Sequence, residues 1–214
     1  MADDKGHRQG DLFDSLGEES TTAEPYAVID GLRYIPNFVT LEEQDRLLRE
    51  IDANNWITDL RRRVQHYGYR YDYRSRSVDY SMRLGELPPW AAEIASRLLA
   101  GRYFTDLPDQ VIVNEYEPGQ GISNHIDCEP CFTGIIASLS LGSTCMMNFT
   151  NKESGEVIPV LLEPRSLVVL HGESRYGWMH GIPFRKSDDV AGRNLKRSRR
   201  VSLTFRKVIL QDSI

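Results

Sequence analysis

From residue 110 onward the chain is a succession of short β-type runs: VIVNEY, IIASLSL, CMMNF, VIPVLL, SLVVL and VSLTFRKVIL. Gly, Pro and Asn separate many of them, as expected for strands joined by tight connections. Helical periodicity is confined to the part before. Thr40 followed by Glu43 makes a capping box, and Leu41, Leu47, Leu48 and Ile51 continue it as an apolar stripe. A second helix is expected over 88–100. Pro88 and Pro89 open it, Trp90, Ile94, Leu98 and Leu99 line one face, and Gly101 stops it. A first strand and turn precede both, over residues 26–34, punctuated by Gly31. Two helices followed by many short strands predict an α+β fold with a barrel or double-sheet core. No GxGxxG or GxxxxGK string is present, which removes support for a dinucleotide or P-loop reading.

Composition excludes several classes. With 40% hydrophobic and 27% charged residues, the chain reads as a globular enzyme or binding module. No apolar run approaches the ~20 residues of a membrane-spanning helix, and the N-terminus lacks the pattern of a secretory signal. Three cysteines cannot all pair, which argues against a disulfide framework and for a reducing compartment. The expected location is cytoplasmic, or the nucleus if the source is eukaryotic. Residues 1–25 read as a mobile acidic tail and 26–214 as one domain. Residues 1–50 carry twelve acidic and five basic side chains, so the overall charge of -5 comes from the front of the chain. A nucleic-acid partner remains compatible with the slightly basic remainder. No obligate protein partner and no membrane partner is evident.

Between the helices lies an unusual segment, residues 56–87. Tyr67, Tyr69, Tyr71 and Tyr73 alternate in it, which in an extended strand would put all four on one face. Arg70, Arg74 and Arg76 lie among them. Tyrosines suit ordinary half-buried sheet packing; equally, alternating aromatics beside arginines suit stacked bases and phosphates. Residues 61–76 hold six arginines and one aspartate, and residues 193–207 hold seven Lys/Arg and no acid. Phosphate contact is expected at both.

The chemistry-bearing residues cluster in two places. His125 and Asp127 form an H-x-D pair, and in extended chain they point the same way. With a distant histidine they would make the two-histidine, one-carboxylate face that leaves positions open on Fe(II). An ordinary polar pair at a strand end is the competing reading. Cys128 and Cys131 have C-x2-C spacing, which suggests zinc, but no second paired set accompanies them. Nothing marks a base or oxyanion pocket for a cysteine nucleophile. The second place is the run RVSLTFR. Period-two alternation puts Arg200, Ser202, Thr204 and Arg206 on one face, and Val201, Leu203 and Phe205 on the other. Two arginines directed into one face call for anions, and a dicarboxylate would satisfy them.

Taken together, these strings resemble the AlkB family of Fe(II)/2-oxoglutarate dioxygenases. The match runs through NEYEPGQGISNHID (Asn114 to Asp127), His180 in WMHGI, and the R-x5-R of Arg200 to Arg206, and covers roughly residues 26–208. The resemblance implies a double-stranded β-helix, or jelly roll, with flanking N-terminal helices and a nucleotide-recognition lid at about 56–87. It implies His125, Asp127 and His180 as iron ligands, with His171, nine residues before His180, a rival that the family pattern passes over. Arg200 would hold the 2-oxoglutarate C5 carboxylate, with Asn114, Tyr116, Ser202 and Arg206 around the same pocket. Fe(II), 2-oxoglutarate and dioxygen would be required.

The implied reaction is oxidative dealkylation of N-alkylated bases, such as N1-methyladenine and N3-methylcytosine, with DNA favoured over RNA as partner. Glu129 stands where repair members of the family place an acid near the exocyclic amine of the base. His66-Tyr67-Gly68-Tyr69 resembles the lid, with Tyr67, Tyr69 and Arg70 as substrate contacts and Trp56 a weaker candidate. HYGYRYDY, SLSLGS and LHGESRYGWMHGI instead resemble the branch containing the wobble-uridine tRNA hydroxylase, so a tRNA-base oxygenase is the alternative. Oxidation of a protein or small molecule, and a non-catalytic jelly-roll binding protein, are the remaining readings.

Overall fold

The structure, a computed structural model, describes residues 29–210. The expected acidic tail, residues 1–25, lies outside the described residues. Twelve strands and three helices follow one another as β1 (Leu32–Ile35), α1 (Leu41–Asp52), β2 (Val64–Tyr67), α2 (Pro89–Ala100), β3 (Gln110–Tyr116), β4 (Ile122–His125), β5 (Phe132–Gly142), β6 (Cys145–Asn151), β7 (Val157–Leu162), β8 (Leu167–His171), α3 (Glu173–Tyr176), β9 (Trp178–Ile182), β10 (Ser187–Val190), β11 (Arg193–Lys196) and β12 (Arg200–Val208). A six-stranded sheet has the order β1-β8-β5-β12-β3-β2, and a four-stranded sheet the order β4-β9-β6-β7. This is the double-stranded β-helix that the family resemblance implied, and it fits the double-sheet core expected from the order of the elements.

The helices cover the outer face of the larger sheet. Thr40 caps α1 in both directions: its hydroxyl accepts from the Glu43 N–H at 3.1 Å and its own N–H donates to the Glu43 carboxylate at 2.8 Å. Leu47 and Ile51 are fully buried, whereas Leu41 in the first turn is 61% exposed and takes no part in the stripe. In α2, Pro89 occupies the first turn, and Trp90, Ile94 and Leu98 face the sheet. They meet Val111 and Val113 of β3, Leu139 of β5, and Leu203 and Phe205 of β12. Each such aliphatic side chain contributes about 1.5–3 kcal/mol on full burial. A second apolar layer lies between the sheets, where Phe149, Val160 and Leu162 face Phe132, Ile136, Val168 and Leu170. No described helix is long and apolar enough to cross a membrane.

Strand β12 pairs with β3 on one side and β5 on the other. Its alternation is the one expected from RVSLTFR: Val201, Leu203 and Phe205 join the helix-packed core, and the polar set faces the other sheet. The hairpin of β10 and β11 was not anticipated. It turns at Ala191 and Gly192, both at positive φ (49° and 76°), the two-residue geometry that matches strand twist. Buried Asp188 ties it down, accepting from Arg197 Nε at 2.6 Å, Arg197 Nη2 at 2.8 Å, Arg185 Nε at 2.8 Å and the Met146 N–H at 3.1 Å.

Three expectations need correction. First, Cys128 and Cys131 are joined by a disulfide, with Cα atoms 5.3 Å apart. A tight turn, in which the Cys131 N–H donates to the Cys128 carbonyl at 3.3 Å, brings them within bridging range. The odd cysteine count excludes complete pairing but not one local bridge, and Cys145 stays buried and free. Bonded to each other, the two sulfurs are not zinc thiolates.

Second, the basic run at 193–207 is available for phosphate only in part: Arg193 and Lys196 of β11 are exposed, Arg200 is buried, and the other four cations are held by acids. Arg197 is spent on Asp188, Arg199 on Asp52 and Glu115, Arg206 on Asp127 and Lys207 on Asp109. Third, the four tyrosines do not share a face. Strand β2 ends at Tyr67, because Gly68 turns the chain at φ +76°, where a Cβ would lie 1.8 Å from the Asp109 carbonyl oxygen.

Two measurements test these local arguments. Gly68→Ala should lower stability by about 1–3 kcal/mol, read as a reduced melting temperature. Hydrogen bonds from Arg97, then from the Thr40 N–H, hold Glu43 down to about 2, against an ordinary 4.5. The folded value is the lower one, so the unfolded chain takes up the proton first as pH falls. The contribution is complete above pH 4.5 and is lost between there and about pH 2. Glu43→Gln should therefore melt below the wild type at pH 6 and converge with it near pH 2 in a pH series of thermal melts.

Candidate metal and co-substrate site

A cavity of about 310 Å³ opens between the two sheets. His125 ends β4 and His180 sits in mid-β9, directly opposite it in the antiparallel register; the ring centroids are 4.5 Å apart. Asp127 follows β4 by two residues and is 7% exposed. One ligand atom from each of the three side chains falls within 4.8 Å of the others. His171, at the end of β8, is exposed and does not line the cavity.

The protonation states suit a cation. His125 Nδ1 lies 2.8 Å from the Ser123 carbonyl, which accepts its proton and leaves the Nε2 lone pair free. Burial, then the nearby His125, pushes His180 down to about 3, so it is neutral at ordinary pH. Burial alone would raise Asp127; Arg206, followed by His180 and His125, outweighs it and holds the carboxyl well below the usual carboxylate range. Arg206 Nη2 donates to Asp127 Oδ1 at 2.5 Å, and His180 Nε2 is 3.5 Å from Asp127 Oδ2.

The anion side is built by β12 and its neighbours. Arg200 pairs with Tyr116 across β3, Ser202 with Asn114, and Thr204 with Ile112; all six line the cavity. Arg200 is 2% exposed. Its Nη2 donates to Ser140 Oγ at 2.8 Å, and its Cζ lies 5.4 Å from the Tyr116 ring centre. Nε and Nη1 of Arg200, and Nε of Arg206, have no hydrogen-bond partner. Buried guanidinium donors without an acceptor are costly, and an anionic co-substrate in the cavity would supply one. Ser202 Oγ is 2.9 Å from Ser138 Oγ. Asn114 Oδ1 accepts from Arg62 Nε at 2.9 Å.

The residues expected to contact substrate are placed differently. Tyr67 packs edge-on against Trp90 with ring centres 5.1 Å apart, and its hydroxyl donates to Gln65 Oε1 at 2.9 Å. Tyr69 is buried in the layer between the sheets. Trp56 packs at the margin of the helix-side core, beneath the Arg63 guanidinium. Arg70 and Glu129 are exposed, and neither lines the cavity. Their places at the mouth are taken by Tyr71, Tyr73, Arg62 and Arg76. The period-two pattern pointed to the right segment but the wrong tyrosines, because the turn at Gly68 shifts the phase.

Arg175 was missed altogether. It is 2% exposed, comes from the four-residue helix α3, and donates from Nη1 to the Asp127 carbonyl at 3.0 Å. Its Nη2 lies 3.4 Å from the Cys128 carbonyl, so it holds the backbone on which the carboxylate sits. The only signal in the sequence was an arginine among small and aromatic residues in GESRYGW.

Comparison with known proteins agrees with this geometry. Residues 31–206 match the model of the 2OG-Fe(II) oxygenase superfamily. The chain is 41% identical over 203 residues to the Arabidopsis thaliana "Alkylated DNA repair protein ALKBH8 homolog", a match covering 84% of this chain and 59% of that one. It is 39% identical over 211 residues to the Macaca fascicularis "tRNA (carboxymethyluridine(34)-5-O)-methyltransferase ALKBH8", covering 86% of this chain and 31% of that one. It therefore spans less than two thirds of the first relative and about a third of the second. Among solved structures, OsALKBH1 superposes with a TM-score of 0.65 at 18% identity, covering 83% of this chain and 96% of that chain, which speaks for the fold alone. The chain belongs to the 2OG-Fe(II) oxygenase superfamily, in its AlkB family, whose chemistry uses Fe(II), 2-oxoglutarate and dioxygen.

Proposed function

We propose that this protein oxidises a modified base in RNA, with the carboxymethyl-type side chain of a tRNA wobble uridine as its substrate class. The observation that carries this reading is the charge at the cavity mouth. The expected demethylase contact was a carboxylate, Glu129, accepting from an exocyclic amine. Glu129 lies outside the cavity lining, and the mouth carries the cations Arg62 and Arg76 beside Tyr71 and Tyr73. Guanidinium groups suit a substituent carboxylate and the carbonyl edge of uracil, not an amine. The name of the macaque relative, which refers to carboxymethyluridine at position 34, supports the same substrate class.

In this reading His125, Asp127 and His180 hold Fe(II), and Arg200 grips the far carboxylate of 2-oxoglutarate with Asn114, Tyr116 and Ser202 around it. Bound together with dioxygen, they would supply hydroxylation of a substrate C–H bond, with 2-oxoglutarate converted to succinate and carbon dioxide. Arg206 keeps Asp127 ionised, and Arg175 fixes its backbone. Phe132, Met147, Leu170 and Ile182 wall the cavity with apolar surface and restrict bulk water. Tyr71, Tyr73 and Arg76 receive the base. Dealkylation of N1-methyladenine or N3-methylcytosine in DNA is the second reading. The name of the Arabidopsis relative favours it, and the position of Glu129 weighs against it.

Asp127→Asn should abolish Fe(II)-dependent succinate formation and weaken anaerobic iron binding, and should lower the melting temperature, because the buried Arg206 loses its charged partner. Arg200→Ala should raise the 2-oxoglutarate requirement by more than tenfold, since removing a buried charge partner costs about 2–5 kcal/mol, with little change in iron binding. Unaltered titrations would remove either residue from its role. For the substrate, matched assays should compare an anticodon stem-loop RNA carrying 5-carboxymethyl-type uridine at the wobble position with DNA carrying N3-methylcytosine. Mass gain of one oxygen on the RNA is expected. Formaldehyde release from the DNA alone would select the second reading.

A further inference from the structure

A second cavity, of about 730 Å³, adjoins the first. Tyr71 and Tyr73 line both, so the two spaces adjoin at this pair of rings, set edge to face with centres 5.0 Å apart. The catalytic role described above uses one side of that wall and leaves the other unexplained.

The far side has the chemistry of a base site. Its lining includes exposed aliphatic side chains: Leu84 is 56% exposed and Ile57 38%. Its wall is aromatic, with His66 edge-on to Tyr73 at 5.7 Å. His66 Nδ1 accepts from the Tyr71 N–H at 3.1 Å, so the ring proton sits on Nε2 and is available as a donor. Arg70 and Arg74 also line it, and neither makes an ion pair among the described residues.

Two acids complete the lining. Asp72 is occupied by the N–H groups of Arg74 (2.7 Å) and Ser75 (3.3 Å). Asp59 stays open as an acceptor for a base amine. Aliphatic side chains, a π-face, one donor, one acceptor and two cations form the combination that stacks and reads a nucleobase while holding its phosphate. A volume of this size is in the range of small-molecule sites.

We propose that this second cavity receives the nucleotide adjacent to the one being oxidised: its base lies on the aliphatic side chains against the Tyr73–His66 wall, and its phosphate meets Arg70 and Arg74. The proposal rests on the nucleic-acid reading of the first cavity, and deepens it. The wall of two tyrosines then acts as a divider, inserted between successive bases of the strand so that one is presented to the oxidising site and its neighbour is held behind. Double-stranded substrate cannot satisfy this arrangement without unpairing both positions, which favours a loop.

The test uses the full chain and a fluorescein-labelled anticodon stem-loop RNA, read by anisotropy. One set of probes carries a single abasic nucleotide at each position flanking the wobble uridine. The variant is Arg74→Ala combined with Leu84→Asp, both exposed and neither lining the catalytic cavity. Loss of a stacked base and a phosphate contact should weaken wild-type binding about tenfold or more. The expected result is that the variant binds intact RNA at least tenfold more weakly, while its succinate formation without RNA is unchanged.

An abasic site at one flanking position should weaken the wild type, by less than the variant does because its phosphate still meets Arg74, and should weaken the variant little further. Wild-type binding that neither the variant nor any abasic site alters overturns the second site and leaves the first-cavity reading standing. A wild type that binds neither this RNA nor a matched DNA at micromolar concentration overturns both. The abasic scan on the wild type decides the matter even if the variant is unstable.

Discussion

The pairing of β12 between β3 and β5 is the constraint on which the rest of the structure depends. It is a central strand buried on both faces, and its two faces do opposite work. Val201, Leu203 and Phe205 are packed beneath α1 and α2, and that apolar layer fixes the strand's register. A slip of one residue would send Arg200 and Arg206 into the helix-side core and leave their guanidinium groups without acceptors. The helices therefore hold the anion site in place without touching it. Because β3 is registered to β12, Asn114 and Tyr116 are aligned with Ser202 and Arg200 by the same ladder.

Arg206 joins the two halves of the site. It stands on the larger sheet, and Asp127 follows a strand of the smaller one. A buried ion pair is not in itself strong evidence of stability, but here it sets a charge state. Without Arg206, burial would favour the protonated carboxyl, which is a poor metal ligand. Arg175 acts on the same residue from the opposite side, through the backbone. One carboxylate is thus positioned by two buried arginines, neither of which belongs to the three-residue cluster.

The segment between the helices has a different character. Its arginines divide into those with a polar partner on β3, such as Arg63 on Glu115 and Arg62 on Asn114, and those such as Arg70 and Arg74 that make no ion pair among the described residues. The Arg76 carbonyl oxygen lies 3.1 and 3.2 Å from the disulfide sulfurs of Cys128 and Cys131, which places the tip of the segment beside the Asp127 loop. The segment is therefore part of the site's wall and not a detached flap.

What the sequence by itself determined was whatever depends on local periodicity. Alternation in RVSLTFR assigned each residue of β12 to its face, the capping box placed the start of α1, and proline and glycine bounded α2. The H-x-D pair, His180 and the two arginines were legible because the family motif preserves their spacing. What only the tertiary structure decided was whatever depends on a residue meeting a distant neighbour. Gly68 must turn because the Asp109 carbonyl occupies the space a side chain would need, and that turn exchanges Tyr67 and Tyr69 for Tyr71 and Tyr73 at the cavity. Four of the seven cations at 193–207 are taken up by Asp52, Asp109, Glu115, Asp127 and Asp188, which are brought to them from elsewhere in the chain. Glu129 reads as a base contact in the sequence, and the loop leaves it exposed and outside the cavity lining. Periodicity reports which face a side chain occupies; it carries no information about what stands opposite, because that partner is set by packing between segments far apart in the chain.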